Sequence, residues 1–161
     1  MIKINIISGK IDCGKTTKLF QLYVEKNLGD GFLLRKSYDN EIYVGQQLVR
    51  LSTGESKPFS FRKGATHLDN NLADTYKNYS FTKEGFYFAE KIVMELLENN
   101  VEPIFIDEIG PLELQGKGFY DIFLLILKSQ KEVFVVIRDS CVAQVIEKFH
   151  FQNYKVINIE G

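Results

Sequence analysis

"ISGKIDCGKTTKLF", residues 7–20, is the stretch on which the fold turns. It carries the pattern G-x-x-x-x-G-K-[ST] from Gly9 to Thr16. A β-rich run, "IKINIIS" (2–8), precedes it, and Leu19, Phe20, Tyr23, Val24 and Leu28 follow at helical spacing up to Gly29. At average residue usage the pattern arises by chance in about one chain of this length in two hundred. Its setting adds weight, because a strand, a glycine loop and a helix aim backbone N–H groups and the helix's positive end at an anion. The loop is therefore expected to bind phosphate.

Each position then has a task. Gly9 and Gly14 let the backbone approach a phosphate without a Cβ, with Lys10, Ile11, Asp12 and Cys13 forming the loop between them. Lys15 reaches the β- and γ-phosphates, the Thr16 hydroxyl ligates magnesium, and Thr17 touches the α-phosphate. Cys13 reads as a small filler at a position the motif leaves open.

Working outward, "GFLLRK" (31–36) reads as a second strand, and residues 37–80 break into short pieces that read as β-hairpin or loop. Thr82 is expected to cap a long helix bearing Phe86, Ala89, Val93 and Leu96 on one face, ended by Asn99-Asn100. "EPIFIDE" (102–108) reads as a buried strand and "FYDIFLLILKS" (119–129) as a helix apolar nearly all round. "EVFVVIRD" (132–139) follows as a strand, then a helix with Val142, Val145, Ile146 and Phe149 on one face, then the strand "YKVINI" (154–159). Strands alternating with helices predict an α/β fold with a mainly parallel, doubly wound sheet. No repeat or linker divides the chain, so one domain over 1–161 is expected.

A phosphate loop needs a second carboxylate at a neighbouring strand end to support magnesium, and Asp107 in "IFIDE" supplies it. Glu108, the next residue, is the candidate base that orients and deprotonates an attacking water. By analogy with the branch of phosphate-loop proteins that carries such an added acid, a strand is expected between the phosphate-loop strand and the Asp-Glu strand. "EVFVVIRD" is the expected insert, and it would bring Arg138 or Asp139 towards the γ-phosphate.

The 161 residues carry 20 Lys plus Arg against 21 Asp plus Glu, for a net charge of −1. No overall field attracts nucleic acid or anionic lipid, so neither is an expected partner. Cys13 and Cys141 show neither disulfide-framework nor zinc spacing, His67 and His150 are too few for a metal cluster, and no signal peptide is visible. A cytoplasmic protein is expected, with no membrane span; its protein partners are not legible.

"GKIDCGKTT" (9–17), "RLSTGES" (50–56), "YSFTKEGFYFAEKI" (79–92), "FIDEIGPLELQGKGF" (105–119) and "VFVVIRDS" (133–140) together resemble the small P-loop nucleoside-triphosphatase family that includes thermophilic and human cancer-related NTPases. "DEIGPLEL" (107–114) is the most specific piece. The resemblance spans nearly the whole chain. It implies a three-layer P-loop fold with RecA/AAA-like strand order, and magnesium-dependent hydrolysis of ATP, GTP and other nucleoside triphosphates with low base selectivity. By position it implies phosphate and metal binding by Gly9 to Thr17, magnesium support by Asp107 and a catalytic base in Glu108. Independently, the chain lacks the guanine-reading N-K-x-D pattern and leaves little sequence after its last strand for a base-reading element.

Two other functions are compatible with the same loop. One is a small-molecule or nucleotide kinase, with residues 37–80 as acceptor site and Arg50 and Arg62 holding a phosphate, although both arginines read first as surface residues. The other is a nucleotide-dependent switch that contacts a protein through the helix at 119–128.

Overall fold

The structure, a computed structural model, describes residues 3–62, 72–76 and 79–159. The chain begins with β1 (Ile4–Gly9), α1 (Lys15–Lys26), β2 (Asp30–Asp39), β3 (Ile42–Arg50), β4 (Ser56–Arg62), β5 (Leu72–Tyr76) and β6 (Tyr79–Thr82). It continues with α2 (Lys83–Glu98), β7 (Ile104–Ile106), α3 (Pro111–Leu114), α4 (Tyr120–Lys128), β8 (Val133–Arg138), α5 (Val142–Lys148) and β9 (Tyr154–Asn158).

Among the described residues the strands form one sheet in the order β5-β6-β4-β3-β2-β7-β8-β1-β9. The five from β2 to β9 in that order run parallel, and β3, β4, β6 and β5 extend the sheet antiparallel. β8 lies between β1 and β7, pairing Gly9 with Arg138 and Ile106 with Val135. That is the insertion expected of "EVFVVIRD". The described strands within residues 37–80 pair antiparallel, as the hairpin reading of that stretch expects, and they continue the main sheet, because β2 runs on to Asp39 and turns directly into β3.

β1 is buried at every position, as its isoleucines predict for a strand covered on both faces. Period-two alternation divides its side chains. Ile4 and Ile6 join Ile104, Ile106, Val133 and Val135 in a large core roofed by α2, α4 and α5. Ile7 points the other way, with Phe105, Phe134 and Val136, beneath Leu19 of α1. α1 meets that layer with Leu19, Leu22 and Tyr23, so of the residues at helical spacing Phe20, Val24 and Leu28 face water, being 47%, 56% and 65% exposed. The helix also stops at Asn27, in the left-handed conformation, two residues before Gly29.

Thr82 caps α2 as expected. Its Oγ1 accepts from the Gly85 amide at 2.9 Å and donates to the Pro58 carbonyl at 2.6 Å, which fastens the helix start to β4. Arg50 departs from its surface assignment: Nε donates to Asp30 Oδ2 at 3.0 Å and Nη1 to Glu95 Oε2 at 2.6 Å. It joins β2, β3 and α2, a structural use that takes it out of any acceptor site. No described helix is long and apolar enough to cross a membrane.

Candidate active site

β1 delivers its chain to Gly9 at the edge where the parallel strands end. A Cβ on Gly9 would stand 2.3 Å from Cys13 Sγ, so this position has room for glycine only while the loop curls back over it. Gly14 has φ 95°, the left-handed conformation that lets the loop turn straight into α1. Lys15 is buried at the helix start, its Nζ donating to the Lys10 carbonyl and lying 3.9 Å from Cys13 Sγ. The ammonium thus closes the loop from inside. Lys10, Ile11, Asp12 and Thr17 are exposed, and Thr16 is half-buried.

Asp107, just past β7, is fully buried beside this loop. Its Oδ2 accepts from the Thr16 hydroxyl at 2.8 Å and from the Leu34 amide at 2.9 Å. Oδ1 is buried with no hydrogen-bond partner. Burial first, and then the neighbouring Glu108 charge, push the Asp107 carboxyl up to about 7. A buried carboxylate oxygen lacking a partner, next to a hydroxyl at the head of a phosphate loop, is a donor set suited to a hard divalent cation.

Glu108 departs from Asp107 through a backbone φ of 54°, rare for a side chain of this size. The turn leaves Asp107 in the interior and opens Glu108 to a cavity of about 520 Å³ that Lys15 and Arg138 also line. Glu108 is exposed to water where it lines the cavity, while protein crowds it on its other sides. That crowding raises its carboxyl above the usual range, against the opposing pull of Arg138, Lys15 and a hydrogen bond from Gln46. Arg138, at the end of β8, therefore shares Glu108's surroundings; Asp139 is exposed and does not line the cavity.

Further residues of the cavity come from strands that the hydrolytic reading left out, among them the exposed Arg62 that the kinase alternative names. Lys36 lies on β2, Tyr43 and Gln46 on β3, Arg62 on β4 and Tyr79 on β6. Lys36 pairs with Asp12 of the loop, and that bond raises its ammonium. Burial and a hydrogen bond with Tyr79 raise the Tyr43 phenol. Glu113 was also missed. Its Oε1 accepts from the Gly110 amide and its Oε2 from the Phe119 amide, each at 2.8 Å, so it holds the turn after Glu108 against the approach to α4. Pro111 followed by an acid two residues on, at a helix start, is the signal that could have found it. His67 lies outside the described residues, and His150 is exposed.

The NTPase family model matches residues 4–160, covering the loop, the Asp-Glu turn and the cavity strands alike. The chain belongs to this NTPase family. It is accordingly an enzyme of nucleoside-triphosphate hydrolysis. Nucleoside-triphosphatase THEP1 of Thermotoga petrophila is 28% identical over 141 residues, which span 84% of this chain and 72% of that one. Two solved structures share the fold. The crystal structure of THEP1 from Aquifex aeolicus superposes with a TM-score of 0.70 at 24% identity, covering 98% of this chain and 90% of that one. The solution structure of a human cancer-related nucleoside triphosphatase gives 0.68 at 20% identity, with 98% and 89% covered.

Proposed function

We propose that this NTPase converts nucleoside 5′-triphosphates to diphosphate and phosphate with magnesium, with little selectivity for the base, through the residues of one cavity. The observation that carries the reading is the split at residues 107 and 108: one carboxylate buried with a partnerless oxygen, the next open to water between Lys15 and Arg138. Thr16 and Asp107 are the residues that hold the metal, which when bound offsets phosphate charge. Gly9 to Thr17 wrap the phosphates, and Lys15 swings from the Lys10 carbonyl to the β- and γ-oxygens.

Glu108 orients the attacking water and takes its proton; its raised carboxyl makes it a better base than an ordinary surface glutamate. Arg138 stabilises negative charge that grows on the γ-phosphate. Low base selectivity is supported by the absence of an N-K-x-D pattern. The RecA/AAA-like strand order and a cytoplasmic location belong to the same reading.

Glu108→Gln tests it. The amide keeps the shape and loses the proton acceptor, so nucleotide affinity should hold while single-turnover hydrolysis falls by about 10²- to 10⁴-fold. Hydrolysis within a few-fold of the parent would remove Glu108 from the mechanism. Phosphate release compared across four nucleoside triphosphates, with and without magnesium, tests the substrate range; a rate confined to one base would refute low selectivity.

A further inference from the structure

A general base works only while its carboxylate stays where the attacking water needs it, and Glu108 stands among groups that pull it away. Lys15 and Arg138 line the same cavity and attract it. An ion pair with either one would occupy both the base and a cation that a triphosphate engages. The backbone does not prevent this. A φ of 54° sets where the Cα–Cβ bond of Glu108 points but leaves the torsions beyond it free.

A neutral donor reaches Glu108 from across the sheet. Gln46, on β3, lines the cavity with it and donates a side-chain hydrogen bond to it. A hydrogen bond to an ionised acceptor is among the stronger ones, and an amide makes it without adding charge. Only the NH₂ end of an amide can serve a carboxylate, and the end that faces Glu108 is settled behind Gln46. Ser60 Oγ donates to Gln46 Oε1 at 2.9 Å, which leaves Nε2 for Glu108. Ser60 is 1% exposed, and an irregularity in the pairing of β3 with β4 puts it there. Gln46 pairs with Ser60 and Gln47 with Pro58, so Phe59 is passed over. Strict alternation would send Ser60 to the other face of the sheet from Phe59; the extra residue instead leaves it opposite Gln46, a buried serine next to a buried phenylalanine. Bulges of this kind re-aim side chains beside active sites.

We propose that Gln46 is a positioning residue for hydrolysis: its amide, turned by Ser60, holds the Glu108 carboxylate off Lys15 and Arg138 and leaves an oxygen free for the attacking water. The proposal rests on Glu108 being the base. Without this hold the carboxylate falls onto a cation, and the water meets no acceptor in the right place. The higher charge of a triphosphate still draws Lys15 to itself, so nucleotide affinity is kept.

The test measures single-turnover hydrolysis of ATP, and affinity for a non-hydrolysable ATP analogue with magnesium, on the full chain. The variants are Gln46→Met, Ser60→Ala and Glu108→Gln, with Gln46→Met also combined with each of the other two. Methionine matches glutamine in length and has no N–H to donate. Hydrolysis should fall about tenfold or more in Gln46→Met, the scale of losing one hydrogen bond to a charged group, with analogue affinity within about twofold of the parent. Ser60→Ala frees the amide to turn over, so it should slow hydrolysis about threefold alone and add nothing in the Gln46→Met background. Gln46→Met should likewise add nothing in the Glu108→Gln background, a dependence that a role in strand packing alone would not produce. Hydrolysis by Gln46→Met within about twofold of the parent overturns the proposal, as does a loss of analogue affinity as large as the loss of rate. A fall that persists undiminished beside Glu108→Gln overturns it as well, and a parental rate in Ser60→Ala overturns the part given to Ser60. Circular dichroism checks each fold, and Gln46→Asn, whose amide is one methylene too short to span Ser60 and Glu108, carries the test if Gln46→Met does not fold. Should Glu108→Gln by itself hydrolyse near the parental rate, the assignment of the base has failed, an outcome distinct from a fast Gln46→Met beside a slow Glu108→Gln.

Discussion

Replacing Glu113 by Gln exposes how the turn after the catalytic acids is held. The Glu113 side chain is 4% exposed, and its two oxygens each accept one backbone N–H, from Gly110 and from Phe119. In the variant one oxygen becomes an NH₂ group, a donor facing a donor, and one of those buried amides loses its acceptor. A buried donor left without a partner costs about 1–3 kcal/mol. For a chain of this size each kcal/mol corresponds to a fall in Tm of roughly 2–4 °C. The charge adds a pH dependence. Burial pushes the Glu113 carboxyl from 4.5 up to about 7. A carboxyl raised in the folded state contributes its full stability below about 4.5 and loses it as pH climbs through about 7, a swing of about 3 kcal/mol. Glutamine has no such titration. The parent is therefore the more stable protein at pH 5 by the cost of the orphaned amide, and the gap closes or reverses by pH 8. Thermal unfolding followed by circular dichroism at the two pH values measures it. A gap of equal size at both would show that the carboxyl is not raised, and no gap at either would show that the two hydrogen bonds hold nothing. Phosphate release at pH 5 should also fall in Glu113→Gln, since Gly110 lies two residues beyond Glu108.

Lys15→Ala should abolish tight triphosphate binding while leaving the melting curve near that of the parent, because the ammonium's only described protein partners are the Lys10 carbonyl and Cys13 Sγ. Calorimetric titration with a non-hydrolysable analogue checks this, and unchanged affinity would remove the loop from phosphate binding. Asp107→Asn keeps an oxygen for the Thr16 hydroxyl and the Leu34 amide but lowers the negative charge offered to a cation. Its hydrolysis should require a higher magnesium concentration, and a superimposable magnesium profile would make Asp107 purely structural.

Local signals decided much of this protein. The glycine spacing from Gly9 to Gly14, followed by Lys15 and Thr16, is read by the backbone itself, since it depends on which residues tolerate a tight turn at a helix start. The apolar runs ending at Asp107 and Arg138 announced buried parallel strands, because a strand covered on both faces must be apolar at successive positions. Thr82 marked a helix start through a hydrogen bond made three residues away. What the sequence left open depended on pairing between distant segments. Phe20, Val24 and Leu28 share a helical period with Leu19, and only the single layer of helix on that side of the sheet decides that they face water. Arg50 looked like a surface cation until Asp30 and Glu95 came together around it from β2 and α2. The cavity is the clearest case. Tyr43, Phe59 and Tyr79 sit on strands that carry no local sign of the site, and they line the cavity that holds Glu108 only because β2 runs past the site and carries β3, β4 and β6 alongside it. A period-two pattern can say that a strand has two faces; which face meets Glu108 is settled by register between segments dozens of residues apart, and that register exists only in the folded sheet.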